Sequence, residues 1–426
     1  MPDQPSRKDS LATWLAYLEA LHPQAIDLGL ERVRAVWHRL GSPRPAPVCI
    51  TVGGTNGKGS TVAFLSATLG AAGHRVGSYT SPHLLRYNER VRVGSDDATD
   101  AQLVAAFAEI DAAREEISLS YFEFGTLAAF LLLARAGLDV AVLEIGLGGR
   151  LDAVNLIDAD AAILTSVDLD HQEFLGNTRE QIGWDKAHIF RAGRPAIIAA
   201  VDPPETVFRV AHEIGAVVNL VPRTRAAGDS EWDCPLPDGS HLRLPPPALS
   251  APCQRRNAAA AIWAWWCLRS RLRFDPRAVG EGVAGARVRG RLERLPRPVE
   301  TYVDVAHNPE AARELALWLQ RWPRARNIAV FAALGDKDLA GIVAPLRADF
   351  AGWIVCDLRA SSPRAARPEA QAAALRRLIA DPSIQVIAGD AVADELARAD
   401  QMATEAGRIV VFGSFFTVAA ALASIA

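Results

Sequence analysis

The chain has 426 residues, 50% of them hydrophobic and 22% charged, which suffices for two or three packed domains and is too apolar for a disordered chain. Its 46 Lys and Arg against 49 Asp and Glu give a formal net charge of −3, so bulk electrostatics point neither to nucleic acid nor to a membrane surface. The five cysteines (Cys49, Cys234, Cys253, Cys267 and Cys356) are scattered without a C-x-x-C pair, which argues against a disulfide framework or thiolate zinc site and fits a reducing compartment.

The N-terminal MPDQPSRKDS leads into no signal-peptide apolar core. Ser10 is placed to cap a helix in which Leu11, Trp14, Leu15, Leu18 and Leu21 recur at helical spacing. After the Pro-rich GSPRPAP, the run VCITVGG reads as a buried strand ending in glycines. RVGSYT, DVAVLEIG, DAAILTSVD and PAIIAAV read as further strands, with helices predicted over LVAAFAEIDAAREEI and residues 122–136. This alternation implies an α/β domain with a mainly parallel sheet covered by helices. The most apolar run, TLAAFLLLARAGLDVAVLEIG, is interrupted by Arg135, Gly137 and Asp139. It does not read as a bilayer span, and the chain is expected to be soluble and cytoplasmic.

Residues 219–252 lose the pattern and read as loops with a small antiparallel hairpin, and an Ala- and Trp-rich helix is predicted over 254–271. A second alternating series, ETYVDVA, NIAVFAAL, GWIVCDL, IQVIAG and RIVVFGS, predicts a smaller Rossmann-like α/β domain. The Gly/Arg/Pro-rich GARVRGRLERLPRP marks the join, which places the domains at 1–287 and 288–426. A ligand cleft is expected between them.

The strongest local signal is ITVGGTNGKGSTVAFL, in which a strand enters a loop carrying Gly53, Gly54, Gly57 and Gly59 and then a helix. Glycines let backbone N–H groups turn around phosphate oxygens, the helix N-terminus adds a favourable dipole, and Lys58 supplies an ammonium. The strict Walker spacing is not met, because Gly59 occupies the place of the hydroxyl residue after the lysine. Another hydroxyl must then serve magnesium, and Ser81 in TSPHL stands just past a strand. Glu144 ends the strand DVAVLEI, and Asp170 and His171 follow another. Ligands bind outside the carboxyl ends of strands in open α/β sheets, and Mg²⁺ prefers oxygen ligands. Taken singly, each of these residues also reads as a cap or surface group, and Lys186 in WDKAHIF as a snorkelling lysine. In VDVAHNPEAA, Asp304, His307 and Asn308 stand at a strand-to-helix junction, where an Asn/Pro helix start is the plain alternative.

In this order the strings GTNGKGS, TSPHLLRYNERV, YFEFGTLAA, EIGLGGRLDAVN, LDHQEFLG, DKAHIF and DVAHNPEAA resemble the dihydrofolate synthase/folylpolyglutamate synthase family of the Mur ligase superfamily. The likeness runs from IDLGLERV near the start to VFGSFFTV near the end. It implies an ATP-dependent ligase that joins L-glutamate to dihydropteroate, or to the glutamate of a tetrahydrofolate, through an acyl phosphate. By resemblance, Thr55, Asn56, Gly57, Lys58, Gly59 and Ser60 hold the ATP phosphates, and Ser81, Glu144 and His171 ligate one or two Mg²⁺ ions. Lys186 matches a position that carries an N6-carboxylysine. Asn257, Arg291 and Asp304 match nucleotide contacts, His307 helps orient glutamate or nucleotide, and Ser414 is a further candidate of that kind. Asp27, Leu28 and Gly29, the stretch Ser120, Tyr121, Phe122 and Glu123, and Leu151, Asp152 and Ala153 match dihydropteroate-binding positions. The two aromatic rings suit stacking on a flat heterocycle, with helix-start core packing as the alternative. The family is usually monomeric.

Other readings stay open on the sequence alone. They are a chain-extending synthase without the dihydropteroate reaction, a cell-wall Mur ligase, a P-loop switch or regulatory ATPase, and a nicotinamide enzyme built on GLGGR.

Overall fold

The computed structural model describes residues 4–22, 24, 26–226, 231–321, 326–404 and 406–425. They form two compact units, Met1–Ala248 with Arg255–Ala286, and Leu249–Gln254 with Arg287–Ala426.

The first unit is organised on eight strands: β1 (Val48–Gly53), β2 (Val76–Tyr79), β3 (Val91–Val93), β4 (Asp96–Asp97), β5 (Val140–Glu144), β6 (Ala161–Leu164), β7 (Pro195–Ile198) and β8 (Val217–Leu220). Their spatial order is β4-β3-β2-β5-β1-β6-β7-β8. All are parallel from β2 to β8, and β3 and β4 close one edge antiparallel. Every residue of β1, β2, β5 and β6 is buried, which is why these strands read as continuous apolar runs. The β3–β4 edge escaped sequence reading because it is short and only Val91 on it is buried. Register sets Val52 of β1 opposite Glu144 of β5 and opposite Ile163 of β6. The carboxyl ends of these three strands are therefore level, and the loops that leave them lie side by side.

Local chemistry fixes the helix starts. Ser10 accepts from the Thr13 amide as predicted. Ser120 with Glu123, and Thr178 with Gln181, form capping boxes at helices Tyr121–Arg135 and Arg179–Ala187. The helix predicted to reach residue 271 ends at Cys267. Beyond it the chain turns, and Arg271 donates to Asp160 Oδ1 at 2.6 Å and to the Pro47 carbonyl at 2.7 Å.

Helix Pro276–Gly285 was not legible in the sequence; it packs on helix Lys58–Ala71 with Gly282 against the Thr68 backbone. A Cβ at Gly282 would collide with Thr68, so Gly282→Ala is expected to destabilise the unit by about 1–3 kcal/mol. Chemical denaturation reads this as a lowered midpoint.

Residues 219–252 hold the expected antiparallel hairpin, β10 (Trp232–Pro235) with β11 (His241–Leu244), extended by β9 (Arg225–Ala226). The second unit has a six-stranded sheet of its own: β12 (Glu293–Leu295), β13 (Glu300–Asp304), β14 (Asn327–Phe331), β15 (Gly352–Val355), β16 (Gln385–Ala388) and β17 (Arg408–Phe412). The order is β12-β13-β17-β14-β15-β16, parallel except at β12. Phe331, Phe350, Trp353 and Phe412 form the aromatic centre of its core. Among the described residues, no helix is long and apolar enough to cross a membrane.

Candidate active site

The glycine-rich loop leaves β1 at Gly53 and enters its helix at Lys58. Gly54 has φ +143° and Gly57 φ +84°, conformations that favour glycine. A Cβ at Gly54 would collide with Thr165 Oγ1, and one at Gly57 would lie 2.7 Å from Asn257 Oδ1. The loop is gripped by the segment after β6. Thr55 N donates to the Ser166 carbonyl at 2.9 Å, and Asn56 N to Ser166 Oγ at 2.9 Å. Thr165 Oγ1 donates to the Asn56 carbonyl at 2.6 Å, and Thr55 Oγ1 to the Asp168 carbonyl at 3.1 Å. Sequence reading singled out Asp170 and His171 after this strand and missed Thr165, Ser166 and Asp168. Their signal, TSVD after an apolar run, is common in loops.

Lys58 Nζ donates to the carbonyls of Gly54 and Thr55 at 3.0 and 3.1 Å. Lys186 lies on helix Arg179–Ala187, is only 4% exposed, and donates to the Gly54 carbonyl at 3.2 Å. Its burial first, and the Lys58 ammonium second, push its pKa down to about 7, against the opposing pull of Asp185, Asp170 and Asp152. It is therefore a core lysine facing the loop rather than a snorkelling one.

The glycines of GLGGR make room for that helix. Gly148 has φ +68°. A Cβ there would collide with Asp185, and a Cβ at Gly149 would lie 2.9 Å from Lys186 Cα. These glycines serve close packing, and the nicotinamide reading loses its ground.

Glu144 is buried at the end of β5, where its Oε2 accepts from Ser81 N at 3.3 Å. Gly59 faces it, since a Cβ there would be 3.6 Å from Glu144 Oε2. A carboxylate, the Ser81 amide and the glycine-rich loop thus meet at one point. His171 stands after β6 at the same carboxyl edge, in a left-handed conformation with φ +50°. Among the described residues, no group of three or more His, Cys, Asp or Glu could hold a metal ion. The set fits Mg²⁺ all the same, since that ion uses one or two carboxylates plus phosphate oxygens and waters.

The three segments that match dihydropteroate-binding positions by resemblance are also linked to one another. Arg32 joins Asp27 of the 27–29 stretch to Glu123. Phe122 packs against Gly146, where a Cβ would collide with its ring, and the next residue, Leu147, donates its amide to Asp152 Oδ2 at 2.8 Å. Asp152 Oδ1 accepts from Val154 N at 2.9 Å. Burial pushes the Asp152 carboxyl up to about 7, opposed by the amides of Leu147, Val154 and Gly146. Leu151 and Ala153 flank it, and Leu28 and Gly29 are half-buried beside Asp27. Tyr121 lies edge-on to Tyr87, their centroids 5.7 Å apart, and the buried Arg90 guanidinium covers both rings. Arg90 also donates to His83 Nδ1 at 2.9 Å, and burial lowers the His83 pKa to about 4, so that ring is neutral. Tyr87 and Arg90 lie in TSPHLLRYNERV, but their meeting with Tyr121 was not readable there.

In the second unit, burial raises the pKa of Asp304, opposed chiefly by Arg291. Its carboxylate accepts from Leu292 N at 2.9 Å and Ala306 N at 2.8 Å. Arg291 stacks on Phe415 with its guanidinium carbon 5.4 Å from the ring centroid. His307 lies against the same ring and donates from Nδ1 to the Val305 carbonyl at 2.8 Å. Asn308 accepts from Ala311 N and starts the next helix, which is the plain reading of that junction. Ser414 caps helix Phe415–Ala423. Phe415 was not singled out, since within VFGSFFTV it resembles core.

This architecture is that of a Mur-type ligase: residues 52–220 match the Mur ligase middle domain and residues 290–415 the Mur ligase glutamate ligase domain. The dihydrofolate synthase/folylpolyglutamate synthase of Escherichia coli K12 is 43% identical across 97% of this chain and 95% of its own length. The solved structure of E. coli FolC in complex with DHPP and ADP matches with a TM-score of 0.92, 42% identity and 99% of both chains covered. A bifunctional folylpolyglutamate synthase/dihydrofolate synthase with Mn, AMPPNP and L-glutamate bound matches with a TM-score of 0.89 and 41% identity over 99% of each chain. The chain belongs to the dihydrofolate synthase/folylpolyglutamate synthase family.

Proposed function

We propose that this enzyme is bifunctional, adding L-glutamate to 7,8-dihydropteroate to form dihydrofolate and to tetrahydrofolate-type folates to lengthen their glutamate tail. The observation that carries this reading is the meeting of three pterin-matched segments, far apart in sequence, through Arg32 and the Phe122–Gly146 contact. The relative solved with DHPP and ADP supports it.

A carboxylate is a poor electrophile. Its oxygen takes the γ-phosphoryl group of ATP, the α-amine nitrogen of glutamate attacks the acyl carbon, and the tetrahedral intermediate expels phosphate as the C–N bond forms and the amine loses a proton. The chain's work is positioning and charge neutralisation. The loop amides of Gly57–Ser60 and the Lys58 ammonium receive the phosphates, and Thr55 and Asn56 hold the loop in shape through Ser166. Asn257 stands beside Gly57, and Arg291, Asp304 and His307 serve as nucleotide or glutamate contacts. Mg²⁺, when bound, supplies positive charge to the phosphate oxygens, and Ser81, Glu144 and His171 are its protein ligands in this reading. A relative solved with Mn and AMPPNP supports a divalent ion. Lys186 carries a carbamate. We place the enzyme in the cytoplasm as a monomer, in keeping with its five free thiols.

Phosphate release with dihydropteroate and then with tetrahydrofolate, each with and without glutamate, tests the reading. Turnover that needs glutamate is expected with both. Activity with tetrahydrofolate alone would leave a chain-extending synthase, and glutamate-independent hydrolysis a regulatory ATPase. Glu144→Ala is expected to raise the magnesium requirement tenfold or more or to abolish activity. An unchanged magnesium titration would remove Glu144 from the metal site.

A further inference from the structure

Arg32 is the second residue of helix Glu31–Arg39; it lies in the IDLGLERV stretch, where the resemblance gives it no role of its own. Its guanidinium makes a three-point contact. Nη1 pairs with Asp27 Oδ2 at 2.6 Å, and Nη2 donates to the Asp27 carbonyl at 3.0 Å and to Glu123 Oε1 at 3.1 Å. The Glu123 carboxylate is buried and already committed at its other oxygen, where Oε2 accepts from Ser120 N at 2.8 Å in the capping box of helix Tyr121–Arg135. His22 Nε2 also stands 3.4 Å from Asp27 Oδ2.

One guanidinium therefore lies between two carboxylates whose residues are 96 positions apart in the chain (27 and 123). It fixes the loop that carries Asp27, Leu28 and Gly29 to the helix start that carries Ser120, Tyr121 and Phe122. We infer that Arg32 is a positioning residue for the pterin end of the substrate: its planar fork holds the 27–29 loop at the distance and angle from Tyr121 and Phe122 that a flat heterocycle requires. This rests on the reading of those segments as the pterin side.

The physical case is that nothing else among the described contacts of Asp27 reaches Glu123. The Asp27 side of the link is a loop rather than a regular element, so it has no ladder of its own to hold it. Without Arg32 two like charges face each other, one of them buried, and the loop moves away from the helix start. Lysine cannot replace the arginine, because a single ammonium cannot meet a carboxylate, a carbonyl and a second carboxylate in one plane. Among the described residues the bonds of Arg32 go to Asp27 and Glu123, so the effect should be confined to the pterin substrate.

The test is steady-state kinetics of the full chain and of Arg32→Ala and Arg32→Lys, with dihydropteroate, tetrahydrofolate, ATP and glutamate varied in turn. The expected result for Arg32→Ala is a KM for dihydropteroate and for tetrahydrofolate raised tenfold or more. KM for ATP and for glutamate should stay within twofold, and kcat at saturating pterin within threefold. Arg32→Lys should recover less than half of the loss on a logarithmic scale, since it restores charge without the fork. A thermal melt of each variant establishes that it is folded. A pterin KM unchanged in Arg32→Ala would overturn the inference. So would a parallel rise in all KM values with a fall in kcat, which is what a merely structural role would give, or full recovery by Arg32→Lys. Failure of the functional reading itself is seen separately, as absence of glutamate-dependent turnover in the unsubstituted chain.

Discussion

Replacement of Lys58 by alanine is expected to lower ATP-dependent ligation by about a hundred- to a thousandfold, the usual loss when one preorganised group is taken from a developing charge. The argument is geometric. The Lys58 side chain is half-buried, and its ammonium donates to the carbonyls of Gly54 and Thr55, the loop's own backbone. A phosphate arriving there meets a cation already held in place, so little reorganisation is needed during reaction. Removing it should leave the fold intact, because the loop is still gripped by Thr165, Ser166 and Asp168. The thermal midpoint should therefore move little while turnover collapses. Normal turnover by Lys58→Ala would show that the loop does not serve the phosphates.

Lys186→Ala is expected to lose most activity as well, and acetate or formate should restore part of it. A stable carbamate needs an amine that is neutral when it meets CO₂ and an anion that is then held by cations. The burial of Lys186 meets the first need, since it brings the pKa from the ordinary lysine range to about 7 and leaves a large neutral fraction at neutral pH. The Lys58 ammonium, already the second cause of that shift, meets part of the other, and bound Mg²⁺ would add to it. A short carboxylate can fill the space and charge that the alanine leaves. Lys186→Arg should not be rescued, because the guanidinium fills the space with the wrong charge. Intact-protein mass measured under CO₂ should show one added carboxyl group that disappears in Lys186→Arg. Absence of that mass in active enzyme would end the carbamate reading.

The two lysines also separate what kind of evidence each residue offers. Lys58 follows glycines at a strand end, and that context predicts a phosphate-binding task without a structure. Lys186 sits in WDKAHIF, which reads as an ordinary helical face, and only the fold shows that its amine is buried against the Gly54 carbonyl.

The sequence by itself determined the α/β class and the buried elements. Buried parallel strands are apolar on both faces and read as continuous runs, so β1, β2, β5, β6 and β7 were visible, as were the strands of the second sheet from β13 onward. Caps such as Ser10 are local hydrogen bonds and are written within four residues. The carboxyl-edge positions of Glu144 and His171 followed from strand ends. Tertiary structure alone decided the contacts between distant segments. Arg32 reaches Glu123 across 91 positions, and Ser166 Oγ accepts from Asn56 N across 110. Gly148 and Gly149 proved to be space for the Lys186 helix, and Gly282 space for the helix that follows the glycine-rich loop. Such pairings leave no periodic trace, because a hydrogen bond or a missing Cβ constrains one partner at one point. The chain must be folded before the two positions become neighbours.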